Sequence, residues 1–290
     1  MKQVSKAAVL GAVAVLVAGA APLADATPTG PAAEPGALDP AMGQAGNYVA
    51  FGDSFPANPG HTDDWNGTGA VGRGGCEISR TNIGHLVAED LGLQLRDHSC
   101  NGAVVYMPSD NTLNSQVDAA VGSGDLDDAT RLVTIFIGGN DAARTFWAPD
   151  EVQDREFAAS FATAIGTIRD HAPNSDVLVV GYPEFSSPDG LNYACPVNVF
   201  GNAPKVPAAP VRIVEDNLQR RQHDAATAAA AKFVDMKETG NVDVAMCGAE
   251  GERLMSAFVD TDITNYNQPT HLTMNGSRVF ADSIIAAHQQ

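Results

Sequence analysis

The chain contains 290 residues and carries a formal net charge of −18 at pH 7. This acidic balance argues against nucleic-acid partners and against adhesion to anionic lipid surfaces. The length suits one large domain behind an N-terminal extension, with enough residues for a substantial hydrophobic core.

The N-terminal segment has the features of a secretory signal peptide, which we predict over residues 1–26. Lys2 and Lys6 precede an uncharged run of mainly Ala, Val, Leu and Gly over residues 7–20. An Ala-Asp-Ala cleavage pattern follows at residues 24–26. The alternative is an uncleaved membrane anchor, but the apolar run is short for a membrane span. The pattern therefore predicts a protein that is secreted or held in the cell envelope.

A second segment, residues 27–46, is rich in Pro, Ala and Gly. This composition predicts a disordered leader rather than a packed element. The folded domain is therefore expected over residues 47–290.

Apolar runs and helical patterns alternate along the predicted domain. Short continuous apolar runs predict buried strands, and apolar residues at helical spacing predict helices. The predicted strands are Tyr48–Phe51, Leu132–Ile137, Asp176–Gly181 and Lys232–Asp235. The predicted helices are Asn82–Leu93, Arg155–His171, Val211–Ala231 and Asn275–Ala287. This alternation predicts an α/β fold in which helices cover both faces of a mainly parallel sheet, a three-layer α/β/α sandwich.

The four cysteines are expected to form two disulfides. No Cys-x-x-Cys pair occurs and the spacings fit no zinc pattern, so no metal site is predicted. In an exported protein an even number of cysteines favours disulfides. Three pairings are open, and we favour Cys76–Cys100 with Cys195–Cys247 because each would close a local loop region.

The first predicted strand leads directly into Gly52-Asp53-Ser54, a tight turn that would present a serine at the strand's carboxyl end. Sites in open parallel sheets form at such ends. A serine hydroxyl needs a neighbouring base to act as a nucleophile at neutral pH. Of the seven histidines, His271 is the best placed, because it lies in a loop just before the last predicted helix.

Acyl transfer also needs hydrogen-bond donors for the oxyanion that develops on the substrate. The backbone N–H of Ser54, the backbone N–H of Gly102 and the side chain of Asn140 are the candidates. Asn140 follows Gly138 and Gly139 at the end of the second predicted strand. Each motif taken alone is also common in ordinary turns.

Six segments together resemble the GDSL-type, or SGNH, hydrolases, and more closely the secreted actinobacterial esterase and lipase branch. In chain order they are YVAFGDSFPANPG, CEISRTNIGHLVAEDLG, HSCNGAVV, TIFIGGNDA, DVLVVGYPEF and THLTMNGSRVFADSI. The resemblance implies a flavodoxin-like sandwich and a serine hydrolase of carboxylic esters that uses no cofactor. It also implies Ser54 as the nucleophile, His271 as the general base, and an oxyanion hole formed by Ser54, Gly102 and Asn140.

The chain departs from the family pattern beside the histidine. Gln268 stands where the family commonly has the acid that orients the base. Some members of this branch use a backbone carbonyl instead, so we expect a Ser–His dyad in which the carbonyl of Gln268, or less readily its side-chain oxygen, orients His271. Asp260 and Asp262 are the upstream alternatives.

Two other functions remain open at this stage. The same residues would serve an acyltransferase or a deacylase that acts on an envelope glycolipid or polysaccharide. A catalytically inactive envelope or binding protein on the same fold is the second alternative, because the usual acid is absent. The expected partner is a small-molecule or lipid ester, and we expect a monomer that could associate with the cell envelope.

Overall fold

Five parallel strands form the central sheet in the computed structural model, which describes residues 46–290. The predicted signal peptide and nearly all of the predicted leader lie outside the described residues. With strands numbered in chain order, the sheet contains β1 Asn47–Gly52, β4 Gln94–Asp97, β5 Thr130–Phe136, β6 Asp176–Val180 and β10 Lys232–Val234. Their order across the sheet is β10-β6-β5-β1-β4.

Helices cover both faces of this sheet. The helices of the described chain are α1 Ser54–Ala57, α2 His61–Asn66, α3 Ile83–Leu91, α4 Leu113–Ser123, α5 Gly139–Thr145, α6 Asp150–His171, α7 Ala209–Ala228, α8 Met236–Thr239 and α9 Met274–His288. Helices α3 and α9 pack together on one face, and α4, α6 and α7 form the layer on the other. The predicted three-layer α/β/α sandwich is therefore confirmed.

Six shorter strands form small pairs outside the central sheet. They are β2 Gly69–Val71, β3 Glu77–Ser79, β7 Tyr193–Ala194, β8 Val197–Asn198, β9 Val206–Pro207 and β11 Val259–Asp260. The pairs β2–β3 and β7–β9 are antiparallel, whereas β8–β11 is parallel. The last pair ties the long connection between β6 and α7 to the segment that precedes His271.

The predicted elements are present with shifted ends. Helix α6 begins five residues before the predicted start, because Pro149 precedes a first turn that carries Asp150 and Glu151. Strand β4 and helix α4 were not predicted from the sequence. Helix α4 has few large apolar residues, but Thr112 caps it by accepting from the Ser115 N–H at 3.1 Å.

Strand order fixes where a site can form. The chain moves from β1 outward to β4 and then crosses back over β1 to β5. The topological switch therefore lies between β1 and β5, and loops leaving their carboxyl ends diverge to opposite faces. Ser54 follows β1, and the Gly138–Asn140 turn follows β5.

Both predicted disulfides are present. Cys76 is bonded to Cys100 and Cys195 to Cys247, with Cα atoms 5.2 Å apart in each pair. The first joins the loop after β4 to the segment before β3, and the second joins the long β6–α7 connection to the chain after α8. Within residues 46–290, no helix combines the length and apolar character needed to cross a membrane.

Candidate active site

Ser54 stands at the first position of α1, directly beyond the buried strand β1. Gly52 is required before it, because a Cβ there would clash with Pro56 Cγ and lie 2.5 Å from the carbonyl oxygen of Phe136. Asp53 caps α1, since its Oδ1 accepts from the Phe55 N–H at 3.0 Å. These contacts present the Ser54 side chain at the strand end in a fixed orientation.

A buried glutamine holds the end of β1 from the other side. The Gly52 N–H donates to Gln116 Oε1 at 2.9 Å, and Gln116 Nε2 donates to the Gly52 carbonyl at 2.8 Å. Sequence analysis did not identify Gln116, because it lies on the unpredicted helix α4. The apolar residues Leu113 and Val117, spaced four apart on either side of Gln116, were the pattern that could have indicated this helix.

His271 and Ser54 are in direct contact. Nε2 of His271 lies 2.7 Å from Ser54 Oγ, and Nδ1 lies 2.9 Å from the carbonyl oxygen of Pro269. A carbonyl oxygen can only accept, so Nδ1 carries the imidazole hydrogen and Nε2 is left as the acceptor for the serine hydroxyl. This is the tautomer that a general base for Ser54 requires.

The prediction that Gln268 orients the histidine is wrong. The Gln268 carbonyl instead accepts from the Ser256 hydroxyl at 2.8 Å and from the backbone N–H of His271 at 3.4 Å, not from the imidazole. The Gln268 side chain lies 3.4 Å from Asn101 Oδ1. The cause is the turn itself. Thr270 adopts a left-handed conformation with φ +62°, which brings the carbonyl of Pro269 rather than that of Gln268 to the imidazole.

The two aspartates considered as alternatives are engaged elsewhere. Asp260 pairs with the buried Arg253 through oxygens 2.6 and 2.7 Å from its guanidinium nitrogens. Asp262 lies 3.5 Å from the same guanidinium. Arg253 is 1% exposed, so these carboxylates neutralise a buried charge, and neither contacts His271.

Ser256 secures the turn that carries His271. Its N–H donates to the His271 carbonyl at 2.9 Å, and its hydroxyl accepts from the His271 N–H at 3.3 Å while donating to Gln268. Each end of the turn is therefore fixed to one side chain. This arrangement offsets the cost of holding a β-branched residue, Thr270, at positive φ.

Candidate oxyanion donors lie on loops that contact one another. The loop carrying Gly102 is joined to β1 because Cys100 N donates to the Gly52 carbonyl at 3.0 Å. It is joined to the turn after β5 because Asn140 Nδ2 donates to the Ala103 carbonyl at 3.0 Å. Gly102 has φ +76°, a conformation that favours glycine.

Two of these donors have no internal acceptor. Across residues 46–290, the backbone N–H groups of Ser54 and Gly102 make no hydrogen bond. The Asn140 amide uses only one of its two N–H bonds on Ala103. Three N–H groups are thus free to donate to a further acceptor, as the donors of an oxyanion hole must be.

Asp141 supports this loop and was also missed by sequence analysis. Its buried carboxylate accepts from the N–H groups of Val105 at 2.7 Å and of Tyr106 and Met107 at 3.2 Å. Burial raises the pKa of Asp141, and the three N–H donors oppose that effect. Asp141, the residue after Asn140, therefore stabilises the loop that carries Gly102.

Burial also sets the protonation of the central groups. It lowers the pKa of His271, an effect that the Pro269 carbonyl partly opposes, so the imidazole is neutral at pH 7. Burial raises the pKa of Asp53 to about 7. The ring of Phe55 lies 4.7 Å from the imidazole of His271 at an interplanar angle of 33°, and it contributes to the apolar surroundings of that imidazole.

The fold places the chain among three-layer α/β/α proteins whose sites lie at the carboxyl ends of parallel strands. The family profile of the GDSL-like Lipase/Acylhydrolase family matches residues 50–279. The chain belongs to this family, and it is a carboxylic ester hydrolase.

Two relatives from Streptomyces coelicolor are similar in sequence. Lipase 2 is 27% identical over 235 residues, which cover 71% of this chain and 75% of the relative. Lipase 1 is 32% identical over 189 residues, which cover 59% of this chain and 62% of the relative. Both relatives carry lipase names, in agreement with the family.

Two solved structures share the fold. Phospholipase A1 from Streptomyces albidoflavus NA297 superposes with a TM-score of 0.57 at 20% identity, covering 84% of this chain and 99% of the other. The extracellular lipase from Streptomyces rimosus gives a TM-score of 0.56 at 19% identity with the same coverage of both chains. At these identities the likeness shows the fold alone.

Proposed function

We propose that this protein is a secreted serine esterase or lipase that cleaves acyl esters with a Ser54–His271 dyad. The observation that carries the proposal is the 2.7 Å contact between Ser54 Oγ and His271 Nε2, with Pro269 holding the other ring nitrogen. Nucleophile, base and orienting acceptor are therefore aligned in one chain of hydrogen bonds.

The reaction begins with attack of Ser54 Oγ on the ester carbonyl carbon as the hydroxyl proton moves to His271 Nε2. The carbonyl π electrons move to oxygen, and the resulting oxyanion is bound by the N–H groups of Ser54, Gly102 and Asn140. The imidazolium then gives its proton to the departing alkoxide oxygen, leaving an acyl-serine. Water attacks this ester in the same manner, and the acid and regenerated serine are released.

A neutral carbonyl stabilises the imidazolium less than a carboxylate would, so we expect a modest turnover rate. The absent acid was the main support for a catalytically inactive protein. The Pro269 carbonyl supplies the missing acceptor and removes that support.

Secretion is part of the proposal. Its support is the lysine-led apolar run with an Ala-Asp-Ala pattern in residues 1–26, together with two disulfides. The extracellular lipase from Streptomyces rimosus shares the fold. The names of the relatives favour lipid acyl esters as substrates.

The test compares hydrolysis of p-nitrophenyl acetate, butyrate and palmitate by the wild type and by Ser54→Ala and His271→Ala. We expect each variant to lose at least about 1,000-fold in kcat. Ser123→Ala and His223→Ala, at exposed positions away from the site, serve as matched controls and should retain wild-type rates. Hydrolysis that persists in Ser54→Ala would refute the dyad.

A further inference from the structure

The hydroxyl of Tyr182 lies between the two turns that carry the proposed oxyanion donors. It donates to Asp53 Oδ2, and it accepts from the Gly139 N–H at 2.9 Å. Tyr182 follows β6 and is only 5% exposed. One phenol oxygen thus joins the residue before Ser54 to the residue before Asn140.

The approach of this phenol explains why residue 139 is a glycine. A Cβ at Gly139 would lie 3.1 Å from the Tyr182 hydroxyl oxygen and 3.2 Å from Cε1 and Cζ. Contacts this short are rarely accommodated without movement of the neighbour. Gly139 therefore permits the backbone of the β5 turn to rest directly on the Tyr182 ring.

The ring itself is fixed by aromatic neighbours. Phe55 packs edge-on against it at 4.9 Å between centroids, and Phe136 at 4.8 Å. Edge-to-face pairs of this kind have a definite geometry, so the ring cannot turn freely. The hydroxyl is consequently held at one position relative to both turns.

The protonation states of Tyr182 and Asp53 favour a hydrogen bond between the phenol and the carboxyl group. Burial raises the pKa of Tyr182 far above its ordinary value, so the phenol stays protonated and remains a donor. Asp53 faces the Tyr182 hydroxyl, the Phe55 N–H and the backbone of Gly138, and the nearby carboxylate of Asp141 adds like charge. The phenol is therefore the donor in this bridge, and Asp53 Oδ2 is its acceptor.

We propose that Tyr182 is a positioning residue that sets the distance between the Ser54 turn and the Gly138–Asn140 turn. By fixing that distance it makes the Ser54 N–H and the Asn140 amide converge on one substrate oxygen. The inference rests on the proposed ester hydrolysis at Ser54. Displacement of a donor by about 1 Å can cost on the order of 100-fold in rate, so a lost bridge should be visible in kcat.

The first experiment replaces Tyr182 with Phe, which keeps the ring and removes the hydroxyl. On p-nitrophenyl butyrate we expect kcat to fall at least about tenfold while KM stays within about twofold, because ground-state binding does not use the oxyanion donors. Phosphonylation of Ser54 by an alkylphosphonate p-nitrophenyl ester should slow by a similar factor.

Tyr48→Phe is the matched control. Tyr48 is a buried tyrosine of β1 whose hydroxyl pairs with Thr134 Oγ1 at 2.8 Å, away from the site. It should lose stability as Tyr182→Phe does, with kcat unchanged. Equal kcat losses in both variants, or a wild-type kcat in Tyr182→Phe, would overturn the inference.

A second variant covers failure of Tyr182→Phe to fold. Asp53→Asn keeps the side-chain shape but offers one acceptor oxygen in place of two, so the hydrogen bonds from the Phe55 N–H and the Tyr182 hydroxyl cannot both be kept. It should show the same fall in kcat at constant KM, and in the double variant the two losses should not add. Additive losses would contradict a shared bridge.

The outcomes for the two proposals are distinct. A wild type without Ser54-dependent hydrolysis refutes the proposed function. An active wild type whose kcat survives both substitutions refutes only the positioning role of Tyr182.

Discussion

Nδ1 of His271 donates to the carbonyl oxygen of Pro269 at 2.9 Å, two residues earlier in the chain. This contact occupies the ring nitrogen that an acid would otherwise engage. It is local, because donor and acceptor belong to one turn whose ends are tied to Ser256. The orientation of the base therefore depends on backbone conformation rather than on a distant carboxylate.

Restoring the family acid should consequently bring no gain. In Gln268→Asp we expect kcat within about twofold of the wild type, since Nδ1 is already bonded and residue 268 points toward Asn101. Hydrolysis of p-nitrophenyl butyrate by purified variant and wild type is the measurement, with Gln268→Ala as the control for loss of the side chain. An increase of about tenfold or more in the aspartate variant alone would show that the missing acid limits the rate.

The pH dependence of kcat/KM should report the protonation of His271. Burial lowers the pKa of His271, and the neutral imidazole is the active form in the proposed dyad. Activity should therefore be retained above that pKa and lost as the pH falls through it, with half-maximal kcat/KM below about pH 6.5, the ordinary value for histidine. The profile is measured on p-nitrophenyl acetate at constant ionic strength. A midpoint at about pH 7 or above would instead point to Asp53, whose pKa is raised to about 7.

Sequence patterns were sufficient to predict the two side chains that meet at the centre of the candidate site. A glycine turn after a buried strand placed Ser54, and a loop histidine before the last helix placed His271. Both rest on rules that hold for parallel sheets in general, since strand carboxyl ends meet along one edge. The direct contact between these residues follows from that topology.

The supporting contacts could not be predicted from the sequence. Pro269 replaces Gln268 as the acceptor because Thr270 takes a positive φ, which a β-branched residue rarely adopts. Tyr182 reaches the site from a neighbouring strand, and Gln116 from a helix with a weak apolar pattern. The Pro269 contact depends on the backbone conformation of one turn, whereas the Tyr182 and Gln116 contacts depend on the approach of segments distant along the chain, which local apolar patterns do not report.

Phe55 stands where the family name has leucine, and its ring lies 4.7 Å from the imidazole. An aromatic face near a cation stabilises it by about 0.5–1 kcal/mol at exposed sites, so the ring would favour the imidazolium of the proposed mechanism. In Phe55→Leu we expect kcat to fall about twofold to fivefold and the acidic midpoint of kcat/KM to move to lower pH.

Phe161→Leu provides the control for Phe55→Leu. Phe161 is a buried phenylalanine of α6 that stacks on Phe157 at 4.7 Å, away from the site. This control should lower the melting temperature through lost packing and leave the pH midpoint in place. If the pH midpoint of kcat/KM does not move in Phe55→Leu, the Phe55 ring contributes packing alone and does not stabilise the imidazolium.

The raised pKa of Asp53 also makes stability depend on pH. Between about pH 4 and pH 7 the folded protein retains a proton that the unfolded chain has released, so the unfolding free energy falls as the pH rises through this window. Above that window the loss is complete. Asparagine does not titrate, so Asp53→Asn should gain stability relative to the wild type on going from about pH 5 to about pH 8, by on the order of a few kcal/mol.

Urea unfolding of both proteins at the two pH values measures this difference, and Asp64→Asn at an exposed position of α2 is the control. The unfolding free energy of the control should differ from that of the wild type by the same amount at both pH values. The unfolding free energy of Asp53→Asn should increase relative to that of the wild type as the pH rises. Only the wild type must then ionise a carboxyl group buried beside Tyr182. A difference that stays constant with pH would mean that Asp53 is ionised across the whole range, and the bridge to Tyr182 would then carry a full charge even at about pH 5.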